Sequence, residues 1–304
     1  MAIFKKALLA LIAAALVAVS SSAVNSAEPT APEGVKHVVW IGLDGFGAHY
    51  VNWDELPTLS KMRDGGSWTL HMRSVLPSSS AINWETLMVG APSEMHGYRD
   101  WGSKEPDIEP ICRGANGRFP DIYRVIKDQI PDAYTTCVHD WDGISFLFDQ
   151  DACDDDVQAA GTAEVLEVAL RQLEKKPTFM FVCFDGTDHV GHSVGWGSPE
   201  YQEEMKTMDA NIGKILARID ELGIADETVV YVNADHGGSG KGHGEARLDH
   251  MEVPYIVYGA GIKPGEITDV VANFDSAPTA AWLLGVKRPQ AWRGRPVYSV
   301  AEEK

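Results

Sequence analysis

Residues 35–45 read Val35-Lys36-His37-Val38-Val39-Trp40-Ile41-Gly42-Leu43-Asp44-Gly45. The run is apolar at nearly every position and stops on an acid and a glycine. A strand apolar on alternate residues has one wet face; one apolar throughout is buried on both, as in a parallel sheet covered by helices. Four further runs share this form. Tyr134 to Val138 ends at His139-Asp140, and Thr178 to Phe184 ends at Asp185-Gly186 with Asp188 just beyond. Thr228 to Val232 leads to Asp235-His236, and Val253 to Tyr258 ends at Gly259. Between them the apolar spacing changes to that of a helix. Residues 162–175 carry Val165, Leu166, Ala169, Leu170 and Leu173, and residues 199–222 carry Met205, Met208, Ile212, Ile215, Leu216, Ile219 and Leu222. Strands alternating with helices predict an α/β fold with a doubly wound, mostly parallel sheet flanked by helices. There is no internal repeat and no low-complexity linker, so 28–304 reads as a single domain. The polar, glycine-containing stretch 97–117 reads as a loop layer over the site.

The N-terminus reads differently. Lys5 and Lys6 precede an apolar run from Ala7 to Val19, and small residues follow up to Ala27. This order predicts a secretory signal peptide over 1–27, too short in its apolar part to span a bilayer comfortably. The expected location is therefore periplasmic or secreted, with no membrane anchor once the signal is cleaved. The chain carries 44 acids against 26 basic residues, a formal charge of −18. Loss of Lys5 and Lys6 makes that −20. Such acidity counts against a nucleic-acid surface, which needs basic patches. Of the four cysteines, Cys137 and Cys183 lie in apolar runs and read as buried thiols. Cys112 and Cys153 lie in polar sequence and are the candidates for a disulfide in an oxidising compartment.

In a doubly wound sheet, ligands bind beyond the carboxyl ends of the strands. Asp44, Asp188, Asp235 and His236 all fall there. Asp188 and His192 are four residues apart, so one helical turn or a tight loop would aim both at a common point. The glycines of Gly237-Gly238-Ser239-Gly240-Lys241-Gly242 let the chain fold back and bring His243 to the same region. Any one of these residues is unremarkable in a loop. Together, carboxylate oxygens and imidazole nitrogens suit zinc or another borderline divalent metal. The stretch at Lys241 is no P-loop, because Gly242 stands where Ser or Thr is needed.

Ser78-Ser79-Ser80 precedes an apolar-patterned segment from Ala81 to Leu87. The simple reading is helix capping. The functional reading puts a serine hydroxyl where free N–H groups and the helix dipole favour an anion.

These segments in this order resemble the alkaline phosphatase superfamily, in its type I phosphodiesterase/nucleotide pyrophosphatase-like branch. The carrying motifs are Val39 to Gly45, Ser80-x-x-Asn83 with Gly90, Pro92 and His96-Gly97, Asp188-x-x-Gly191-His192, Asp235-His236-Gly237, and Gly242-His243-Gly244 before Val253-Pro254. Asp275 to Leu284 and Gly294-Arg295-Pro296 look like that superfamily's C-terminal end. The resemblance implies an alkaline phosphatase-like catalytic domain with two divalent ions, expected to be zinc. One would be held by Asp44, Ser80, Asp235 and His236, the other by Asp188, His192 and His243. Ser80 matches the nucleophile position. His250 is the rival to His243; His189 reads as a neighbour and His96 as structural. Asn83 and Arg99 are the expected substrate-binding residues. Phosphodiesterase relatives often carry an Asn shortly after the His-Gly turn. Here the turn reads Tyr98-Arg99-Asp100-Trp101, and Arg99 is the candidate replacement.

The activity implied is hydrolysis of small phosphate esters, chiefly phosphodiesters or nucleotide pyrophosphates, through a phosphoseryl intermediate. A phosphomonoesterase or sulfate-ester hydrolase on the same scaffold is the alternative. The formylglycine pattern of sulfatases is absent from Ser80-Ala81-Ile82-Asn83-Trp84. From another class, a metal-stabilised binding protein without catalysis also fits. Trp101 and Trp141 lie near strand ends and are either loop anchors or stacking surfaces for a base or aryl group.

Overall fold

The computed structural model describes residues 28–302. The expected signal segment, 1–27, lies outside the described residues. Eight strands form one sheet: β1 His37–Leu43, β2 Ser67–Arg73, β3 Thr135–His139, β4 Asp155–Gln158, β5 Phe179–Phe184, β6 Thr228–Asn233, β7 Glu252–Gly259 and β8 Gly265–Glu266. Their order across the sheet is β4-β3-β5-β1-β6-β7-β2-β8. The five strands from β4 to β6 run parallel. β7 pairs antiparallel with both β6 and β2, and β8 lies parallel to β2.

The helices are α1 Pro57–Gly65, α2 Ser80–Val89, α3 Ser93–His96, α4 Ile122–Gln129, α5 Thr162–Leu173, α6 Gly186–Val194, α7 Pro199–Glu221, α8 Leu248–Met251 and α9 Ser276–Leu283. They form two layers. α2, α4 and α9 pack together, and α1, α5 and α6 pack around the long α7. The sheet between them is buried on both faces: every residue of β3, β5 and β6 is buried. This is the doubly wound, mostly parallel sheet expected from the apolar runs.

The five runs all become strands. The last, β7, is antiparallel, and continuous apolarity says nothing about direction. The sequence reading passed over β2, β4 and the two-residue β8 for physical reasons. β2 alternates between buried and exposed residues, and β4 is an acidic edge strand of four residues. Charged, short edges limit unwanted pairing. Cys112 and Cys153 are free thiols, not a disulfide. Cys153 packs under β3 instead, with Sγ 3.9 Å from the carbonyl of Thr135.

The strand order decides where the site is. β3, β5, β1 and β6 are neighbours and end on the same edge, so the residues that follow them converge. No helix among the described residues is long and apolar enough to cross a membrane.

Candidate active site

Asp44 follows β1 and is buried, its N–H donating to the carbonyl of Phe184 at the end of β5. The indole N–H of Trp84 donates to its Oδ2 at 2.8 Å, leaving Oδ1 without a partner. Asp235 follows β6; its Oδ1 accepts the N–H of Gly45 at 3.2 Å and its Oδ2 has no partner. Asp188, in the first turn of α6, likewise holds Oδ1 buried and unpartnered. Buried polar atoms are nearly always hydrogen-bonded. Three orphaned carboxylate oxygens at one strand edge therefore call for a missing positive partner.

The histidines make the same demand. His236 Nδ1 lies 2.9 Å from the carbonyl of Gly237, His192 Nδ1 3.0 Å from that of Lys241, and His243 Nδ1 3.0 Å from that of Ser78. A carbonyl only accepts, so each Nδ1 carries the proton and each Nε2 presents a lone pair. His192 and His243 then face each other lone pair to lone pair, Nε2 to Nε2 at 3.1 Å. Asp188 lies beside both, 3.5 Å from His192 Nε2 and 3.8 Å from His243 Nε2. His236 Nε2 lies 3.2 Å from Asp235 Oδ2 and 3.6 Å from Asp44 Oδ1. A backbone carbonyl fixing the outer nitrogen while the inner one faces oxygen ligands is the usual arrangement of a metal-binding imidazole.

The electrostatics agree. Burial pushes the carboxyls of Asp44 and Asp235 well above their ordinary range, and neighbouring carboxylates add to it. Burial raises Asp188 to about 6. Burial also drives His236 well down and His243 to about 4. His236 is therefore neutral, and its contacts with Asp44 and Asp235 are not ion pairs. Carboxyls of raised proton affinity beside neutral imidazoles are groups that a bound cation would stabilise in their ionised and lone-pair forms. The residues present thus fit divalent metal: Asp44, Asp235 and His236 form one group and Asp188, His236 and His243 another.

Ser80 is the first residue of α2, and Ser79 occupies the N-cap without making a side-chain cap bond. The simple capping reading is not what the structure shows. Ser80 Oγ instead points across the strand ends and lies 3.2 Å from His236 Nε2.

Two expected substrate contacts are placed elsewhere. Asn83 spends its whole amide on the backbone, donating to Val75, Pro77 and Ser79 and accepting from the N–H of Val75 and from Asn273. It braces the serine loop and has nothing left for a ligand. Arg99 is exposed and does not line the cavity; its backbone N–H donates to Asp107. His250 accepts the N–H of Glu245 and bonds Ser239, so it braces the loop that carries His243. His96 is buried and bonded to Thr86 and Tyr98, a structural role. His189 lines a neighbouring cavity.

A cavity of about 510 Å³ opens over Ser80 and is lined also by Trp101, Trp141, Asp185, Asp188, His192 and His243. Trp101 comes from the 97–117 layer, as expected of a loop over the site. Both tryptophans line the cavity, so neither is simply a core or loop anchor. The sequence reading missed four supporting residues. Trp84 holds Asp44, Thr187 Oγ donates to the carbonyl of Asp44, and Asn273 donates to that of Asp235. Trp196 sets its ring edge-on to His192 at 5.1 Å while donating to the carbonyl of Gly45. A Cβ on Gly191 or Gly238 would come within 2.6 or 2.4 Å of that ring, which accounts for glycine at both. One signal was available: Trp84 sits one helical turn after Ser80, on the same face.

Comparison with known proteins fits this geometry. Human "Ectonucleotide pyrophosphatase/phosphodiesterase family member 1" is 23% identical over 297 residues, covering 82% of this chain and 29% of its own length. The steryl-sulfatase of Rattus norvegicus is 30% identical over 149 residues, 40% of this chain and 25% of the relative. The chain thus spans less than a third of either relative. Among solved structures, murine ectonucleotide pyrophosphatase/phosphodiesterase 5, an inactive form in complex with AMP, superposes with a TM-score of 0.73 at 12% identity, covering 88% of this chain and all of that one (100%). Wild type alkaline phosphatase PafA gives 0.72 at 12% identity, with 90% and 99% covered. Those two likenesses establish an alkaline phosphatase-like fold. The family model described as type I phosphodiesterase / nucleotide pyrophosphatase matches residues 38–110 and 100–251, most of the chain and all of the clustered acids and histidines, so the chain belongs to that family.

Proposed function

We propose that residues 28–304 act as one exported catalytic domain that hydrolyses phosphate esters, diesters foremost, through a phosphoseryl intermediate on Ser80. One observation carries this reading. The Ser80 hydroxyl lies 3.2 Å from His236 Nε2, within the group of carboxylates and imidazoles that lack a positive partner. Asp44, Ser80, Asp235 and His236 would hold one divalent ion and Asp188, His192 and His243 the other, with zinc favoured by the mixed nitrogen and oxygen donors. Such ions, when bound, supply the Lewis-acid charge that favours an alkoxide and neutralises ester oxygens.

The chain's own residues do the rest. Ser80, at the start of α2, attacks phosphorus and expels the first alcohol; water then cleaves the phosphoserine. Ala81 N–H, donating to the carbonyl of Trp101 at 3.1 Å, ties the loop layer to the nucleophile. Asn83 fixes the loop before Ser80, and the carbonyl of Ser78 sets the orientation of His243. The nucleophile loop and the ligand set are thereby held as one unit.

The test is Ser80→Ala. The variant should lose at least about a thousandfold in kcat while keeping most of its metal, because Asp44, Asp235 and His236 remain to hold that ion. A variant with the parental rate would sink the assignment, and the binding-protein reading predicts no turnover in either form. The sulfatase likeness supports a second reading, hydrolysis of monoesters or sulfate esters. Assays of bis-p-nitrophenyl phosphate, p-nitrophenyl phosphate and p-nitrophenyl sulfate side by side decide between them. A clear preference for either of the last two overturns the diesterase reading.

A further inference from the structure

The two proposed ligand sets are built differently. Asp44, Asp235 and His236 follow the strands β1 and β6 and are fully buried. Asp188 and His192 sit on the nine-residue α6, and His243 sits in the loop 237–244. The His192 side chain is 47% exposed. Five of the eight loop residues are glycine, so backbone entropy works against any fixed place for His243. Inside the loop, Ser239 and Gly242 exchange backbone hydrogen bonds across a turn in which Gly240 takes a left-handed φ of +56°. That turn alone does not tie His243 to the helix.

A clasp between the loop and the end of α6 does. The Trp196 N–H donates to the carbonyl of Gly240 at 2.8 Å. The Lys241 ammonium donates at 2.6 Å to the carbonyl of Ser193, in the last turn of α6, where carbonyls lack helical partners and a cation is favoured. The carbonyl of the same Lys241 accepts from His192 Nδ1 at 3.0 Å. One loop residue thus grips the helix that carries a ligand and also orients that ligand. The Trp196 ring is buried and stands edge-on to both histidines, 5.1 Å from His192 and 5.9 Å from His243. It packs on Gly191 of the helix and Gly238 of the loop so closely that neither admits a Cβ. Its indole N–H and the Tyr201 hydroxyl both donate to the carbonyl of Gly45, beside Asp44. The result sets His192 Nε2 and His243 Nε2 3.1 Å apart, lone pair to lone pair. Two lone pairs this close repel, and a shared cation relieves the repulsion.

We propose that Trp196 and Lys241 are positioning residues that set the metal affinity of the Asp188, His192 and His243 site, by clasping the glycine loop to α6. The inference rests on the ligand assignment made above for two ions. The site of Asp44, Asp235 and His236 has its own supports in Trp84 and Asn273 and lies outside the clasp. Opening the clasp therefore weakens one site and spares the other. A general loss of fold stability would weaken both.

Zinc competition titrations, with bound zinc counted per chain, test this without any substrate. The parent should hold two zinc ions in separable affinity classes, and His192→Ala marks the class that the clasp serves. Lys241→Met removes the ammonium at an exposed position and keeps an apolar stem. It should weaken that class by about three- to tenfold, the worth of one hydrogen bond, and leave the other within about twofold. Lys241→Arg should restore the parental affinity, because a guanidinium can donate to the same carbonyl. Trp196→Leu should weaken the same class by about tenfold or more. In both weakened variants kcat should return toward the parental value as free zinc is raised. Equal weakening of both classes, or parental affinity in Lys241→Met and Trp196→Leu alike, overturns the inference and leaves the hydrolase reading standing. If Trp196→Leu does not fold, Lys241→Met decides alone. A parent that binds fewer than two ions overturns the ligand assignment and this inference with it. Two ions bound selectively through the clasp, with no ester turned over, overturn the hydrolase reading alone.

Discussion

Ser80 and His96 show how little a residue's type says of its role. Each belongs to a class that binds metal, caps helices or fills cores. Ser80 was separable from Ser78 and Ser79 only through its spacing to Asn83. Asn83 in turn proved to be a brace, because its amide is consumed by the backbone around it. His96 was legible as structural, and its environment makes a measurable prediction. It is wholly buried, and burial lowers it to about 3 from an ordinary 6.5. Below pH 6.5 the unfolded chain takes up a proton that the folded one refuses. Stability must then fall as pH drops through this window, by about 1.4 kcal/mol per pH unit from this site alone. His96→Gln should be less stable at pH 7, yet lose stability more slowly on acidification by about that slope. Urea unfolding of both proteins from pH 4 to 6.5 measures it, and parallel curves would show that His96 does titrate in the fold. Asp185, by contrast, was visible as a strand-end acid but not as a cavity wall, since sequence gives no distance from one strand end to the next.

β1 and α2 form the joint on which the site depends. α2 is buried along its whole length, so it carries no amphipathic signal beyond being apolar. Its Trp84 reaches over Gly42 of β1 to hold Asp44, and a Cβ on Gly42 would lie 2.5 Å from the indole. Gly42→Ala should therefore destabilise by about 1–3 kcal/mol through overpacking. It should also weaken metal binding, because the ring must leave Asp44 to make room. Unfolding and a zinc competition titration report the two effects separately. Parental zinc affinity in a destabilised variant would show that the Trp84–Asp44 bond does not set the site. At this scale the sequence was most informative where burial was complete. Each all-apolar run became a strand, and helical spacing over 162–175 and 199–222 became α5 and α7. It was least informative where an element is half wet, as in β2, or defined only by pairing, as in the acidic β4. Strand direction also stayed hidden: β7 reads like its parallel neighbours and runs the other way.

Across the whole molecule, a formal charge of −18 surrounds a site proposed to accept an anionic ester. The two statements are compatible because they act over different distances. The acids of the ligand set are compensated locally when cations bind, whereas the remaining surface acids set the long-range field. That field opposes the approach of anions and is screened over about 10 Å at 0.1 M salt. Substrates should therefore sort by net charge in their response to salt. For p-nitrophenyl phosphate, a dianion near neutral pH, kcat/KM should rise by about two- to fivefold between 10 and 150 mM ionic strength, as screening relieves the repulsion. For the p-nitrophenyl ester of choline phosphate, whose charges sum to zero, it should change by less than about twofold, because a net-neutral ligand feels little of the distant field. Stopped-flow or steady-state rates at constant free zinc make the comparison. If the monoester slows as salt is added while the choline ester holds its rate, the field at the cavity mouth is positive. The two ions would then outweigh the acidic shell at long range, and the cavity would draw anions in rather than merely tolerate them.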